Sequence, residues 1–108
     1  MAALKQLGQV SPTAATVTAL YTTPTLTTGA TIRSLFITNT NITTATIRVS
    51  NAKAGAVDAI TQYLYYDITV QPKDTFTSTT GITMAQTDVI RCYASTTGVN
   101  FTLFGVEE

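Results

Sequence analysis

The sequence contains no histidine and no tryptophan, only one cysteine, and charged residues make up just 11% of its 108 positions. Without histidine, the commonest general base, the usual activator of a serine or cysteine nucleophile and the favoured transition-metal ligand are all missing, which removes most hydrolase designs. A lone cysteine, Cys92, forms no intramolecular disulfide, and its place inside an apolar run assigns it to core packing. The six glycines are scattered singly at turns, so there is no glycine-rich phosphate loop. Six basic side chains balance six acidic ones, leaving no electrostatic footprint for nucleic acid or an anionic membrane. No stretch approaches the length of a membrane span, and Met1 to Gln9 has one lysine and no apolar run of signal-peptide length, so folding in a cytoplasm is expected.

What is abundant is threonine, at 25 of 108 residues. β-Branched residues suit a pleated, half-buried surface better than a helix, and the chain reads as all-β. The hydrophobic fraction of 44% beside so little charge suggests that some surface is covered by a partner, although threonine hydroxyls can also solvate a surface without charge.

The stretch from Gln62 to Phe76 organises the rest. Leu64, Tyr66, Ile68 and Val70 fall at period two, with Tyr63, Tyr65, Asp67 and Thr69 on the opposite face, which predicts a strand whose apolar face needs a covering sheet. Gln71, Pro72, Lys73 and Asp74 then supply a turn. Before it, Thr16 to Thr23 alternates as a first strand, and Thr31 to Thr40 has a continuous apolar centre suited to burial on both sides. In Thr44 to Ser50 the pattern places Ala45, Ile47 and Val49 inward against Thr46 and Arg48, and its turn from the preceding strand reads as a hairpin. Asn51 to Ile60, small and glycine-interrupted, reads as a loop. After it come the short piece Ile82 to Ala85, a strand over Thr87 to Ser95 with Ile90, Cys92 and Ala94 on one face, and a last strand with Val99, Phe101 and Leu103 opposing Asn100, Thr102 and Phe104.

Seven to eight strands separated by regular turn signals predict a single-domain antiparallel β-sandwich of the jelly-roll kind over residues 16–108. Periodicity alone does not separate that strand order from an immunoglobulin-like one, whose Cys and Trp markers are missing. Residues 1–15 read as an extended N-terminal arm in which Leu4, Leu7 and Val10 stand ready to dock on a neighbouring subunit.

No chemistry emerges from the carboxylates. Asp58, Asp67, Asp74, Asp88, Glu107 and Glu108 share no spacing diagnostic of a metal loop or an acid/base pair, and Asp74 and Asp88 sit where turn-capping residues belong. The expectation is a protein without catalytic, cofactor or metal residues. Tyr63, Tyr65 and Tyr66 offer either a stacking platform for carbohydrate or cross-strand packing; one aromatic pair meeting a partner fits the composition, and Tyr63, Tyr65 and Phe104 are the candidate interface aromatics.

The strings Leu7-Gly8-Gln9-Val10, Leu20-Tyr21-Thr22, Tyr63 to Asp67, Pro72 to Phe76 and Asn100 to Gly105 together resemble a family of small virion proteins encoded among the structural genes of tailed bacteriophages. That resemblance covers most of the chain and implies a plan similar to trimeric β-sandwich capsid decoration, or cement, proteins. It implies a homotrimer assembled in the host cytoplasm and bound to the major capsid protein, or another virion protein, on the capsid surface. The alternative it leaves open is a tail, baseplate or fibre module that binds another tail protein or a host-surface carbohydrate.

Overall fold

The computed structural model describes residues 4–25, 29–79 and 81–107. Nine strands follow one another among the described residues: β1 (Lys5–Val10), β2 (Thr18–Thr22), β3 (Gly29–Asn39), β4 (Ala45–Ala52), β5 (Tyr63–Val70), β6 (Thr75–Ser78), β7 (Ile82–Ala85), β8 (Val89–Ala94) and β9 (Val99–Glu107). Between β4 and β5 the only helical pieces are two single 3-10 turns, Lys53–Gly55 and Ile60–Gln62.

The strands divide into two antiparallel sheets. Sheet A runs β1-β9-β3-β6, with β7 sharing the edge of β3 that β6 occupies, and sheet B runs β2-β8-β4-β5. If β6 and β7 are taken as one interrupted strand, the pairs nest: β1 with β9, β2 with β8, β3 with β6 and β7, β4 with β5. A chain doubled back on its own middle and rolled into two sheets is a jelly roll, so the strand order that periodicity left open is settled. One local expectation fails. β3 and β4 are not a hairpin but lie in different sheets, and the turn Asn39 to Thr44 carries the chain across the sandwich.

Asn39 holds that crossing. It is fully buried, and its amide donates to the carbonyls of Thr43, Val70 and Gln71 at 2.9, 3.2 and 3.3 Å while accepting from the Asn41 N–H at 3.0 Å. The β3–β4 and β5–β6 crossings are thereby tied together, and a buried polar group has its partners.

The core lies between the sheets. Ile32, Leu35 and Ile37 of β3 and Phe101 and Leu103 of β9 meet Ile47 and Val49 of β4 and Ile90 of β8, each at most 1% exposed. β4, β8 and β9 point inward at the expected residues. Gly105 shows how closely the interior strands approach: a Cβ there would stand 2.1 Å from the Thr31 carbonyl oxygen, beside the bulge where β3 slips one residue against β9.

Two expectations about faces are corrected. In β5, Ile47 opposes Ile68 but Val49 opposes Tyr65 and Ser50 opposes Tyr63, so β5 carries an extra residue at each step. Asp67 takes φ +54° in the first of these bulges, and the alternation changes face there. Ile68, Val70 and Tyr65 pack on the core, whereas Leu64 and Tyr66 are 48% and 47% exposed. A bulge in β2 likewise turns both Leu20 and Tyr21 inward.

The second correction concerns the arm. Lys5–Val10 is an edge strand of its own sheet, hydrogen-bonded along β9, and Leu7 and Val10 pack against the core of their own sandwich. Both are partly buried within the subunit, while Leu4 is 65% exposed.

Candidate interaction surface

Among the described residues no group of three or more histidine, cysteine or acidic side chains stands close enough to hold a metal ion. Cys92 is buried, and burial pushes its thiol up to about 12, which keeps it a protonated packing group at neutral pH. Asp88 behaves as a turn cap, its carboxylate accepting from the N–H groups of Ala54 at 2.8 Å and Ala85 at 3.0 Å.

The most elaborate contact surface is the outer face of sheet B. Arg48 points outward from the middle of β4, opposite Tyr93 of β8 in the ladder. Its guanidinium lies 4.2 Å from the ring centre of Tyr66 and 4.4 Å from that of Tyr93, a cation between two π faces. Asp67 closes the arrangement as a fork, with Nε donating to Oδ1 at 2.6 Å and Nη2 to Oδ2 at 3.3 Å. That hydrogen-bonded carboxylate raises the guanidinium's pKa still further, so Arg48 keeps its charge. The β5 bulge is what makes this possible, because it turns Tyr66 outward and brings Asp67 to Arg48.

Tyr63 extends the cluster. Its ring meets Tyr66 edge-on at 5.2 Å, and its hydroxyl donates to Asp58 at 2.9 Å; burial first, then the Asp58 carboxylate, raise the phenol's pKa. Asp58 belongs to the loop 53–62, which lies over the outer face and covers Ser50 and Ala52, both fully buried. Asp88 pins this loop through Ala54, Arg91 donates to the Gly55 carbonyl at 3.2 Å, and Gln62 donates to the Val57 carbonyl at 2.9 Å. The loop is fastened at several points, yet Val57 and Ile60 are left 88% and 66% exposed. Two β-branched side chains held out on a fastened loop lose little freedom when a partner covers them.

The outer face of sheet A is simpler. Phe36 and Phe104 meet edge-on at 5.8 Å, 38% and 37% exposed, beside the threonine hydroxyls of Thr38 and Thr75.

The residues expected to form an interface are not one site. Leu4 is at the exposed start of β1, Leu7 and Val10 face the core, Tyr63 belongs to the Arg48 cluster, and Phe104 is on the opposite sheet. Tyr65 is turned inward, its ring edge-on to Phe76 at 5.4 Å and its hydroxyl against that of Ser78. Sequence reading missed Arg48, Tyr93, Val57 and Ile60. Alternation places Arg48 outward, but nothing local says that the loop carrying Val57 and Ile60 folds back on that face.

No protein-family model and no curated protein sequence matches the chain. Among solved structures the fold is similar to that of a chain in the acidic stable capsid structure of Helicobacter pylori bacteriophage KHP30, with a TM-score of 0.56, 14% identity, and coverage of 98% of this chain and 86% of that one. At this identity the likeness is one of fold.

Proposed function

We propose that the protein is a structural component of a bacteriophage virion, a decoration or cement protein that binds the outer shell as a symmetric oligomer and strengthens it without catalysing a reaction. The observation that carries this reading is the fold likeness to a phage capsid chain over 98% of the present chain. The absence of histidine and the sparse charge agree with a protein whose work is adhesion.

The outer face of sheet B is the surface proposed to meet the shell. Arginine and tyrosine are among the residues that most often dominate interface energies, and the fastened loop supplies Val57 and Ile60 as apolar anchors. With Arg48 neutralised by Asp67, the face fits an uncharged, apolar area of a shell protein better than a charged one. At about 25 cal/mol per Å² of apolar area, modest contacts repeated by symmetry add up to a useful clamp.

The alternative, a tail or fibre module that stacks sugars on its tyrosines, draws less support. Tyr65 faces inward, and the guanidinium of Arg48 covers one face each of Tyr66 and Tyr93. Purified particles separate the readings. Protein that stays with tailless heads, in copy numbers set by the shell, supports decoration; protein that leaves with the tail supports the alternative; absence from the particle overturns both. The variant Val57→Asp/Ile60→Asp is expected to fold and to lose shell binding, and unchanged occupancy would remove this face from the proposal.

A further inference from the structure

The two flanks of the sandwich differ. On one, β1 and β2 are drawn together: Glu107 at the end of β9 accepts from the Lys5 ammonium at 2.7 Å and from the Tyr21 hydroxyl at 2.5 Å. On the other, the free edge of β5 and the interrupted edge formed by β6 and β7 leave an open cleft of about 310 Å³ lined by Leu64, Tyr65, Gly81 and Ile82. None of the described residues that line it is charged, and Leu64 is half exposed within it. On the closed flank the chain presents Leu4, 65% exposed.

We propose that the cleft takes Leu4 from a second copy of this chain, so that copies join head to tail in a closed ring. This rests on the symmetric oligomer of the proposed function and names its interface. Leu4 does not reach the cleft of its own subunit, because β1 and β7 stand on opposite edges of sheet A, separated by three strand spacings, or about 14 Å. The register then says how two copies meet. Lys5 opposes Gly105, Gly105 opposes Ile32 and Ile32 opposes Ile82, so the two ends of one row across the sheet are the residue after Leu4 and a residue of the cleft. Joining the ends of a single row requires almost no displacement along the strands. A head-to-tail contact without rise closes into a ring when its rotation divides the full turn, whereas one with rise grows into a filament.

Charge agrees with this occupant. The described lining of the cleft is uncharged, Lys5 beside Leu4 is paired with Glu107, and a chain with zero net charge does not repel its own copies. One such contact is small beside the roughly 800 Å² per partner of a typical specific interface. In a ring, however, each subunit makes it twice, once as donor and once as acceptor, and leaving requires both to break.

The full chain tests this in the absence of any particle. In the double variant Leu4→Cys/Leu64→Cys, mild oxidation is expected to link copies into one discrete closed species on a non-reducing gel, with light scattering giving the same mass before oxidation. Buried Cys92 stays silent, and each single variant gives no closed product. Leu4→Asp, at an exposed position, is expected to keep the native circular dichroism spectrum and lose the oligomer. A monomer at millimolar concentration, a disulfide formed within one chain, an open-ended ladder, or an oligomer indifferent to Leu4→Asp would each overturn the proposal. None of these results bears on whether the protein is found in particles, which stands or falls on the particle experiment above.

Discussion

β9 and β5 have similar lengths and similar apolar content but opposite behaviour. β9 lies between β1 and β3 and is paired along both edges; Val99, Phe101 and Leu103 all point inward and are fully buried. β5 has only β4 beside it, and over eight residues it slips register twice, with Asp67 in a left-handed conformation. A strand held by two ladders that bulges loses hydrogen bonds on both sides, while an edge strand loses them on one and faces water on the other. Register slips fall on the edge strands β1, β2 and β5 and once on interior β3, and in β5 the disturbance turns Tyr66 outward and brings Asp67 to Arg48. The interior strand supplies stability and the edge strand supplies surface.

The sharpest way to break that contrast is to remove one large side chain from each strand. Phe101→Ala opens a cavity under both sheets and is expected to cost about 3–5 kcal/mol. Tyr66→Ala removes a ring that stacks on Arg48 at the surface, and about 1 kcal/mol is expected. Urea unfolding of the two variants measures both. Comparable losses would mean that the Arg48 cluster is part of what holds the sandwich together, and a small loss for Phe101→Ala would contradict the burial of β9.

The bulge itself is tested by its backbone. At φ +54° a β-branched residue is penalised, so Asp67→Val is expected to lose about 1–2 kcal/mol. Asp67→Gly also removes the Arg48 fork but suits the conformation, and its midpoint is expected to stay near that of the native chain. Equal losses for valine and glycine would assign the effect to the ion pair and not to the bulge.

The same contrast explains what could be read from the sequence. The strands β4, β8 and β9 were legible because these three carry no extra residue, and inward Ile47, Cys92 and Phe101 follow from spacing alone. Strand existence was legible almost throughout, and so was the sandwich. The facing of Leu64 and Tyr66 was not, since a bulge inserts a residue without leaving a turn signal; aspartate tolerates the left-handed region, but it is also an ordinary outward residue. Pairing was the other blind spot. Whether Lys5–Val10 lies on its own sheet or on a neighbour's, and whether β3 and β4 form a hairpin or change sheets, depends on contacts remote in sequence, as when Asn39 ties to Val70 and Gln71. The candidate surface inherits that blindness, because Val57, Ile60, Arg48 and Tyr93 come from three separate parts of the chain.

The smallest expected effect probes the closed flank, where the edge strands β1 and β2 come together and Glu107 accepts from Lys5 and Tyr21. Hydrogen bonds from Lys5 first and Tyr21 second hold the Glu107 carboxyl below its usual range. A carboxylate whose pKa is lower folded than unfolded contributes its stability in full above the ordinary glutamate range, and that contribution is lost as pH falls through the lowered folded value. Glu107 is close to the surface, so solvent screens the interaction and the change is modest. Glu107→Gln keeps a hydrogen-bonding side chain but has no proton to take up. Its unfolding midpoint should therefore lie below that of the native chain at neutral pH, and the gap should narrow as the solution is acidified past the glutamate range. A gap that is constant with pH would show that the charge on Glu107 does not fasten this flank.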